Sequence, residues 1–481
     1  MPESRPVSKE ANHPSGLGGL LRAAIGRRSD WRVSIPEPGA LGIGRQLIGI
    51  AAVVLSVVVG WPAFSGATGE DGSVALGLFV GAAAITLMTW SFFLAIRVRA
   101  LEPLFGGLDR MYQVHRWAGT LAMAFMFLHV RLEPEVEGGF RGASKSVADS
   151  AEGLAGVGEY MLCGLVAISL IRWFPYRWWR LTHKLLGVPF AFACFQFYTA
   201  EKPYENGSGW GWYFGTIMTI GLVSYVVRVV GRDALTRGKR YRVASAVVQG
   251  STIELNLSPE RYKLEHRAGE FAIIKIQERG MSEPHVFTIA SAPESANLRF
   301  FVRNLGDWSK RLQSADLVGT TVYVEGPYGA FEPFADSGGD TLWIAGGIGI
   351  TPFLSAIDQL ESNPLETSGS SVPTLIYCVP TRRDATAIEH LERANAAGRI
   401  RLHVLASDEG RRFSPSLLTE VSDGQSLANT HTAVCGPTGL VRAATRATRA
   451  AGARSIENEA FDIRSGIGPD LSQPIADLTS R

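Results

Sequence analysis

The stretch "MYQVHRWAGTLAMAFMFLHV", residues 111–130, decides how the first half of the chain is read. It has the length and apolar character of a membrane helix, yet it carries His115 and His129. An imidazole is costly to place in hydrocarbon unless something binds it. The fourteen-residue spacing separates the two by about 21 Å along a helix and returns them to nearly one face.

Working outward, apolar residues concentrate between about Leu41 and Val230, and six segments approach the length of a span, which takes about 20 apolar residues. They are 42–64, 74–97, 112–131, 153–173, 182–199 and 211–230. Their flanks fall into two classes. One side carries "GRRSDWR", "RVRALEP…LDRMYQVHR", "RWFPYRWWR" and "RVVGRDALTRGKRYR"; the other carries "GATGEDG", "EPEVEGG…ADSAEG" and "TAEKPYENGSG". The positive-inside rule makes the basic side cytoplasmic, together with both termini. The third and fifth segments then run from inside to outside. The fifth, "WRLTHKLLGVPFAFACFQFY", brings His183 in near its inner end, at the depth of His115. A single buried histidine is most often a hydrogen-bonded core residue. Three in two bundle helices, at two depths, point to haem, because a single metal ion needs its ligands at one depth.

At 481 residues the chain is long enough for two or three domains, and a net charge of +2 speaks against a general nucleic-acid binder. The four cysteines, Cys163, Cys194, Cys378 and Cys435, form no CxxC pair, so no zinc site, disulfide framework or iron–sulfur cluster is indicated. Residues 1–40 are polar and rich in Pro, Ser and Gly, carry no evident secretory signal, and read as a disordered tail.

From Lys239 the pattern becomes a series of short strands, as expected for a small antiparallel barrel. After it, continuous apolar runs alternate with helical patterns, the signature of a parallel α/β sheet. In "LWIAGGIGITP" a strand ends in a glycine turn. Gly346, Gly347 and Gly349 let backbone N–H groups approach a pyrophosphate at a helix N-terminus, with Pro352 at the helix start. The spacing is GxGxxP. A glycine turn alone is weak, since many such turns hold glycine for geometry only. In "HVFTIASAP", Phe287 can lie against a flat ring and Thr288 can bond its edge, although a plain buried strand reads the same way.

Taken in order, "HVFTIAS", "VRNLGDWS", "GPYG", "AGGIGITP", "CGP" and "ENEAFD" resemble the ferredoxin–NADP reductase superfamily. With the helical region, the chain from about Leu41 to Phe461 resembles the ferric reductase and NADPH oxidase family of transmembrane flavocytochromes b. The resemblance implies a multidomain membrane protein. Its parts are a tail over 1–40, a six-helix bundle over 41–232, an FAD-binding β-barrel over 239–335, an NAD(P)H-binding α/β domain over 340–464 and a C-terminal tail over 465–481. His285, Phe287 and Thr288 match the flavin motif HPFT, with Val286 in place of proline. Arg303, Gly306 and Ser309 match the flavin pyrophosphate region, and Gly326, Pro327 and Gly329 match the turn closing the flavin domain. Gly347, Gly349, Thr351 and Pro352 match the nicotinamide nucleotide loop. Cys435, Gly436 and Pro437 match the loop beside the nicotinamide, and Phe461 matches the aromatic that covers the flavin. His115, His129 and His183 match three haem ligands. The fourth place, thirteen residues after His183, holds Gln196 where the family has histidine.

The implied activity is electron transfer from NADPH through FAD to a b-type haem and on to ferric iron or oxygen, in a multi-pass protein of the cell membrane. Arg382 and Arg383, after the second strand of the nucleotide domain, suit the 2′-phosphate of NADPH, with NADH as the other coenzyme. Gln196 favours a single inner haem over two. Two other readings stay open: an electron-supply subunit reducing a quinone or partner protein, and a non-redox membrane protein using its reductase half as a nucleotide sensor.

Overall fold

The computed structural model describes residues 42–65, 72–132, 136, 138–170, 176–231, 238–334, 339–362, 371–421 and 426–460. The expected N-terminal tail, Phe461 and the C-terminal tail lie outside these residues.

The apolar half is helical: α1 (Gly42–Val58), α2 (Gly72–Ala95), α3 (Leu108–Leu132), α4 (Lys145–Leu170), α5 (Tyr176–Lys184), α6 (Gly187–Thr199) and α7 (Gly209–Val226). Among the described residues, four stretches are long and apolar enough to cross a membrane: Ile48–Ser65, Gly72–Ala95, Lys145–Ser169 and Gly209–Val229. The sequence reading expects six. Helix α3 has 25 residues, but Arg110, His115, Arg116, His129 and Arg131 lower its apolar character. The fifth expected span is not one helix. It breaks at Leu185 and Leu186, where Leu185 N–H and Leu186 N–H bond three residues back, to Thr182 and His183. Pro189 explains the break, because its ring lacks an N–H and collides with the carbonyl four residues earlier, that of Leu185. The 13 residues of α6 rise about 20 Å, well short of a hydrocarbon core of about 30 Å.

Helices α2 and α3 pack side by side. Leu87 and Leu94 of α2 meet Leu108, Met111, Ala118 and Ala122 of α3 in one buried cluster. The same cluster takes in Phe271, Ile273 and Tyr328 from the next domain, so the two halves share a core.

That next domain is a six-stranded antiparallel sheet built from β1 (Lys239–Gln249), β2 (Thr252–Pro259), β3 (Phe271–Ile276), β4 (His285–Thr288), β5 (Leu298–Arg303) and β6 (Thr321–Tyr328), with helix α8 (Asp307–Ser314) before β6. The strand order is β4-β3-β6-β1-β2-β5. Alternate residues point inward, burying Ile253, Leu255 and Leu257 of β2 against Ile274, Ile276, Phe300, Val322 and Val324. Edge strands β4 and β5 are not joined by a ladder. A backbone bond from Ala290 N–H to the Arg299 carbonyl, 2.8 Å, links the chain just past β4 to β5. The result is a curled antiparallel sheet, where the sequence reading expects a small antiparallel barrel.

The last domain is a five-stranded parallel sheet: β7 (Asp340–Gly346), β8 (Thr374–Val379), β9 (Arg401–Ala406), β10 (Thr430–Gly436) and β11 (Ser455–Ala460), in the order β9-β8-β7-β10-β11. Helices α9 (Thr351–Ser362), α10 (Ile388–Ala396), α11 (Pro415–Val421) and α12 (Thr438–Ala450) complete it. The chain steps outward from β7 to β9 and then crosses back to β10. This reversal opens a crevice at the carboxyl ends of β7 and β10, the usual ligand position in such sheets. The sheet domains are firmly joined. Ala290 and Phe301 share a core with Trp343 and Phe353. Arg299 Nη2 also donates to Asp358 Oδ2 at 2.7 Å, and Ser355 Oγ to the Ser291 carbonyl at 2.7 Å.

Candidate functional site

The histidines come first. His115 Nδ1 lies 2.7 Å from the Ser91 carbonyl, and His129 Nδ1 lies 2.8 Å from the Gly77 carbonyl. A carbonyl only accepts, so each Nδ1 donates its proton there, and Nε2 is the ring nitrogen not used in that bond. Such second-partner bonds orient metal-binding histidines. Ser91 and Gly77 are fourteen residues apart on α2, as the histidines are on α3. The antiparallel pair therefore makes the same contact at two depths. Gly81 makes room for the outer ring, since a β-carbon there would stand 2.7 Å from His129 Nδ1.

His183, at the end of α5, brings its ring centroid to 6.2 Å from that of His115, with the planes at 70°. Its Nδ1 is buried without a hydrogen-bond partner, and Trp179 stacks on the ring at 4.8 Å. Two imidazoles on one metal, each bonded at about 2 Å, place their centroids about 6 Å apart. The spacing and the orphaned nitrogen fit a shared iron between α3 and α5. Gln196 lies on α6, beyond the helix break, and the bond described for His129 goes to Gly77 rather than to Gln196.

In the flavin-type domain, His285 and Phe287 share one face of β4; on the other, Val286 is 55% exposed and Thr288 is buried. His285 and Phe287 pack on Trp308 of α8, at 3.9 Å and 5.9 Å between centroids. The flat ring that Phe287 meets is therefore the chain's own indole. Ser309 Oγ accepts from the N–H groups of Leu305 and Gly306, both at 2.9 Å, so its hydroxyl caps the start of α8. Gly326 and Pro327 end β6, and the Gly329 N–H is taken by the carboxylate of Glu102, 2.6 Å away. Arg303, on β5, reaches the next domain, its Nη1 standing 3.5 Å from where a β-carbon of Gly347 would be. That places a guanidinium, a charge-assisted donor to anions, beside the glycine loop.

The nucleotide crevice is built by close backbone approach. A β-carbon at Gly349 would run into the carbonyl of Cys435, so the glycine loop and the "CGP" loop touch through main chain. Gly346 ends β7, Gly347 opens a short turn, and Thr351 and Pro352 begin α9, with the Thr351 N–H bonded to the Ile348 carbonyl. Gly436 and Pro437 follow Cys435 at the end of β10. The Cys435 thiol is fully buried, and burial reinforced by Glu459 pushes its pKa well up, so it stands there as a neutral thiol. Arg382 and Arg383 are exposed on the loop after β8, and Arg382 already pairs with Glu392 at 2.6 Å.

Sequence reasoning passed over several residues. The Tyr377 hydroxyl donates to the Gly347 carbonyl at 3.1 Å and accepts the Thr386 N–H at 2.9 Å. It ties the glycine loop to the segment bearing Arg382 and Arg383. Trp308 was legible only as part of a motif, and Glu102 is a single acid in a basic connection.

Comparison with known proteins agrees with this geometry. Residues 80–194 match the family described as ferric reductase like transmembrane component, residues 239–332 the FAD-binding domain, and residues 343–446 the oxidoreductase NAD-binding domain. The chain is 26% identical to dual oxidase 1 of Homo sapiens over 162 residues, covering 31% of this chain and 10% of that protein. It is 32% identical to methane monooxygenase component C of Methylosinus trichosporium over 153 residues, 31% of this chain and 43% of that one. It is 23% identical to ferric/cupric reductase transmembrane component 7 of Saccharomyces cerevisiae over 331 residues, 66% and 52% of the two chains. The chain thus spans about half or less of the length of each of these relatives. Its class is a membrane flavoprotein with a reductase-type nucleotide domain. Within that class, one chain carries in order segments that match a ferric reductase like transmembrane component, an FAD-binding domain and an oxidoreductase NAD-binding domain.

Proposed function

We propose that the chain is a multi-pass oxidoreductase of the cell membrane. It passes electrons from NADPH through FAD to a b-type haem, and on to ferric iron or oxygen. The observation that carries this reading is the His115–His183 pair, whose rings lie 6.2 Å apart with one buried nitrogen left without a partner. When bound, the flavin accepts hydride from the nicotinamide and releases electrons singly, which is the form a haem can take.

The chain's own residues do the holding. His115, oriented by the Ser91 carbonyl, and His183 hold the inner haem. Arg303, Gly347, Gly349 and the start of α9 receive the pyrophosphates. Neutral Cys435 is assigned to the place beside the nicotinamide, and Phe461, which lies outside the described residues, to the flavin's cover. Thr288 is assigned to the flavin edge, and Arg382 and Arg383 to the 2′-phosphate. All six expected segments cross the bilayer, the fifth as the broken pair α5 and α6, with the basic flanks and both sheet domains on the cytoplasmic side. His129 lacks an imidazole partner because Gln196 stands at the usual place, so one haem is bound. The test is a reduced-minus-oxidised absorption spectrum of the purified protein. NADPH should bring up the reduced haem bands, and protein that binds no haem would end this reading.

A further inference from the structure

We propose that Glu102 is a positioning residue that clamps the flavin domain to the haem-ligand helix and so sets the gap that electrons cross. This rests on the function proposed above.

Glu102 belongs to the connection between α2 and α3 and is only 6% exposed. A carboxylate is rarely buried unless it is paired or hydrogen-bonded. Its Oε1 accepts two backbone N–H bonds, from Leu108 at 3.2 Å and from Gly329 at 2.6 Å. Leu108 is the first residue of α3, about two turns before His115. Gly329 lies in the turn that closes the flavin-type sheet, 227 residues from Glu102. One oxygen atom therefore joins the start of the haem-ligand helix to the flavin domain. Its bond to Gly329 is the shorter of the two.

A second tie runs beside it. Arg97 follows α2 with a backbone φ of 62°, a left-handed conformation that a residue with a β-carbon seldom adopts. Its guanidinium donates to the Tyr112 hydroxyl at 2.6 Å and pairs with Glu325 at 3.7 Å, while the Tyr328 hydroxyl donates to Glu325 at 2.7 Å. The Tyr112 ring in turn meets the His115 ring edge-on at 6.1 Å. These ties surround the apolar contact of Phe271 and Tyr328 with α3. Apolar packing alone tolerates sliding. The paired polar ties fix register, which electron transfer between two bound groups requires.

The experiment uses the full chain in lipid nanodiscs, comparing wild type with Glu102→Ala, Glu102→Gln and Glu102→Asp. Rapid mixing with NADPH reads flavin bleaching and haem reduction separately. Hydrogen–deuterium exchange reads the peptides holding Leu108 and Gly329. In Glu102→Ala, flavin bleaching should keep its rate, haem reduction should slow by about tenfold, on the order of what one hydrogen bond is worth, and both peptides should exchange faster. Glu102→Gln, whose amide oxygen still accepts both bonds, should stay near wild type. If Glu102→Ala does not accumulate, Glu102→Asp decides, because its shorter side chain cannot span both amides and should show the same split. Unchanged exchange at both peptides, or unslowed haem reduction in a folded, haem-loaded variant, overturns the proposal. Protein that binds no haem overturns the functional reading instead, and the exchange data still judge the clamp.

Discussion

His129 meets the Gly77 carbonyl at 2.8 Å in the same way that His115 meets that of Ser91 at 2.7 Å, so one helix pair presents two imidazoles alike. The sites differ in what stands opposite: His183 faces the inner one, and Gln196 takes the corresponding outer place in the sequence. An amide oxygen is a poorer ligand for haem iron than imidazole. Purified, cofactor-saturated protein should therefore contain one haem per flavin, and His129→Ala should leave that ratio unchanged. A ratio of two that falls to one in His129→Ala would show that the outer tether suffices.

Loss of the inner pair should be plain in the absorption spectrum. His183→Ala should lose haem while keeping its flavin, and NADPH should still bleach that flavin. Wild-type haem content in this variant would disprove the pairing of His115 with His183.

Gly81→Ala should push the His129 ring off its carbonyl, since the new carbon would stand 2.7 Å from Nδ1. Overpacking of this kind costs about 1–3 kcal/mol. It should appear as a lower unfolding temperature in detergent with inner haem retained, and an unchanged melting curve would mean that α2 yields freely.

Coenzyme choice should depend more on Arg383 than on Arg382. Arg382 already pairs with Glu392, although that pair is exposed and gives up its partner at little cost. Wild type should prefer NADPH, and Arg383→Ala should lose about tenfold in kcat/KM for NADPH, with NADH little affected, as expected for one lost charge-assisted bond. Equal efficiency of the two coenzymes in wild type would refute the assignment.

Glu102 should make domain docking sensitive to pH. Burial raises its pKa from the ordinary 4.5 to about 7, opposed by the bonds from Gly329 and Leu108 and by Arg99, and reinforced by Glu270. A raised carboxyl pKa means that the docked form favours the proton. Its contribution is thus complete below about 4.5 and is lost as pH rises through about 7. Haem reduction by NADPH should slow between pH 6 and 8 in wild type, while Glu102→Gln should respond less across that window. Parallel pH profiles for the two proteins would exclude Glu102 as the titrating group.

Local order is what the sequence by itself determined. Apolar runs, basic flanks, the fourteen-residue histidine spacing and the glycine and proline turns each follow from the geometry of a few neighbouring residues. The succession of short strands and then of strand–helix units was legible for the same reason. The break between α5 and α6 lay in "GVPF", since Pro189 acts on the residue four places before it. Tertiary structure alone decided the rest. Which carbonyl meets each histidine depends on the register of α2 against α3. Ser309 was readable as a flavin contact from its motif, but that its hydroxyl also caps the start of α8 shows only once the loop has folded back. Tyr377 and Glu102 carried no motif, because their partners, Gly347 and Gly329, are distant along the chain. A hydrogen bond across such a separation leaves no periodicity to read, and it forms only once packing brings both ends together.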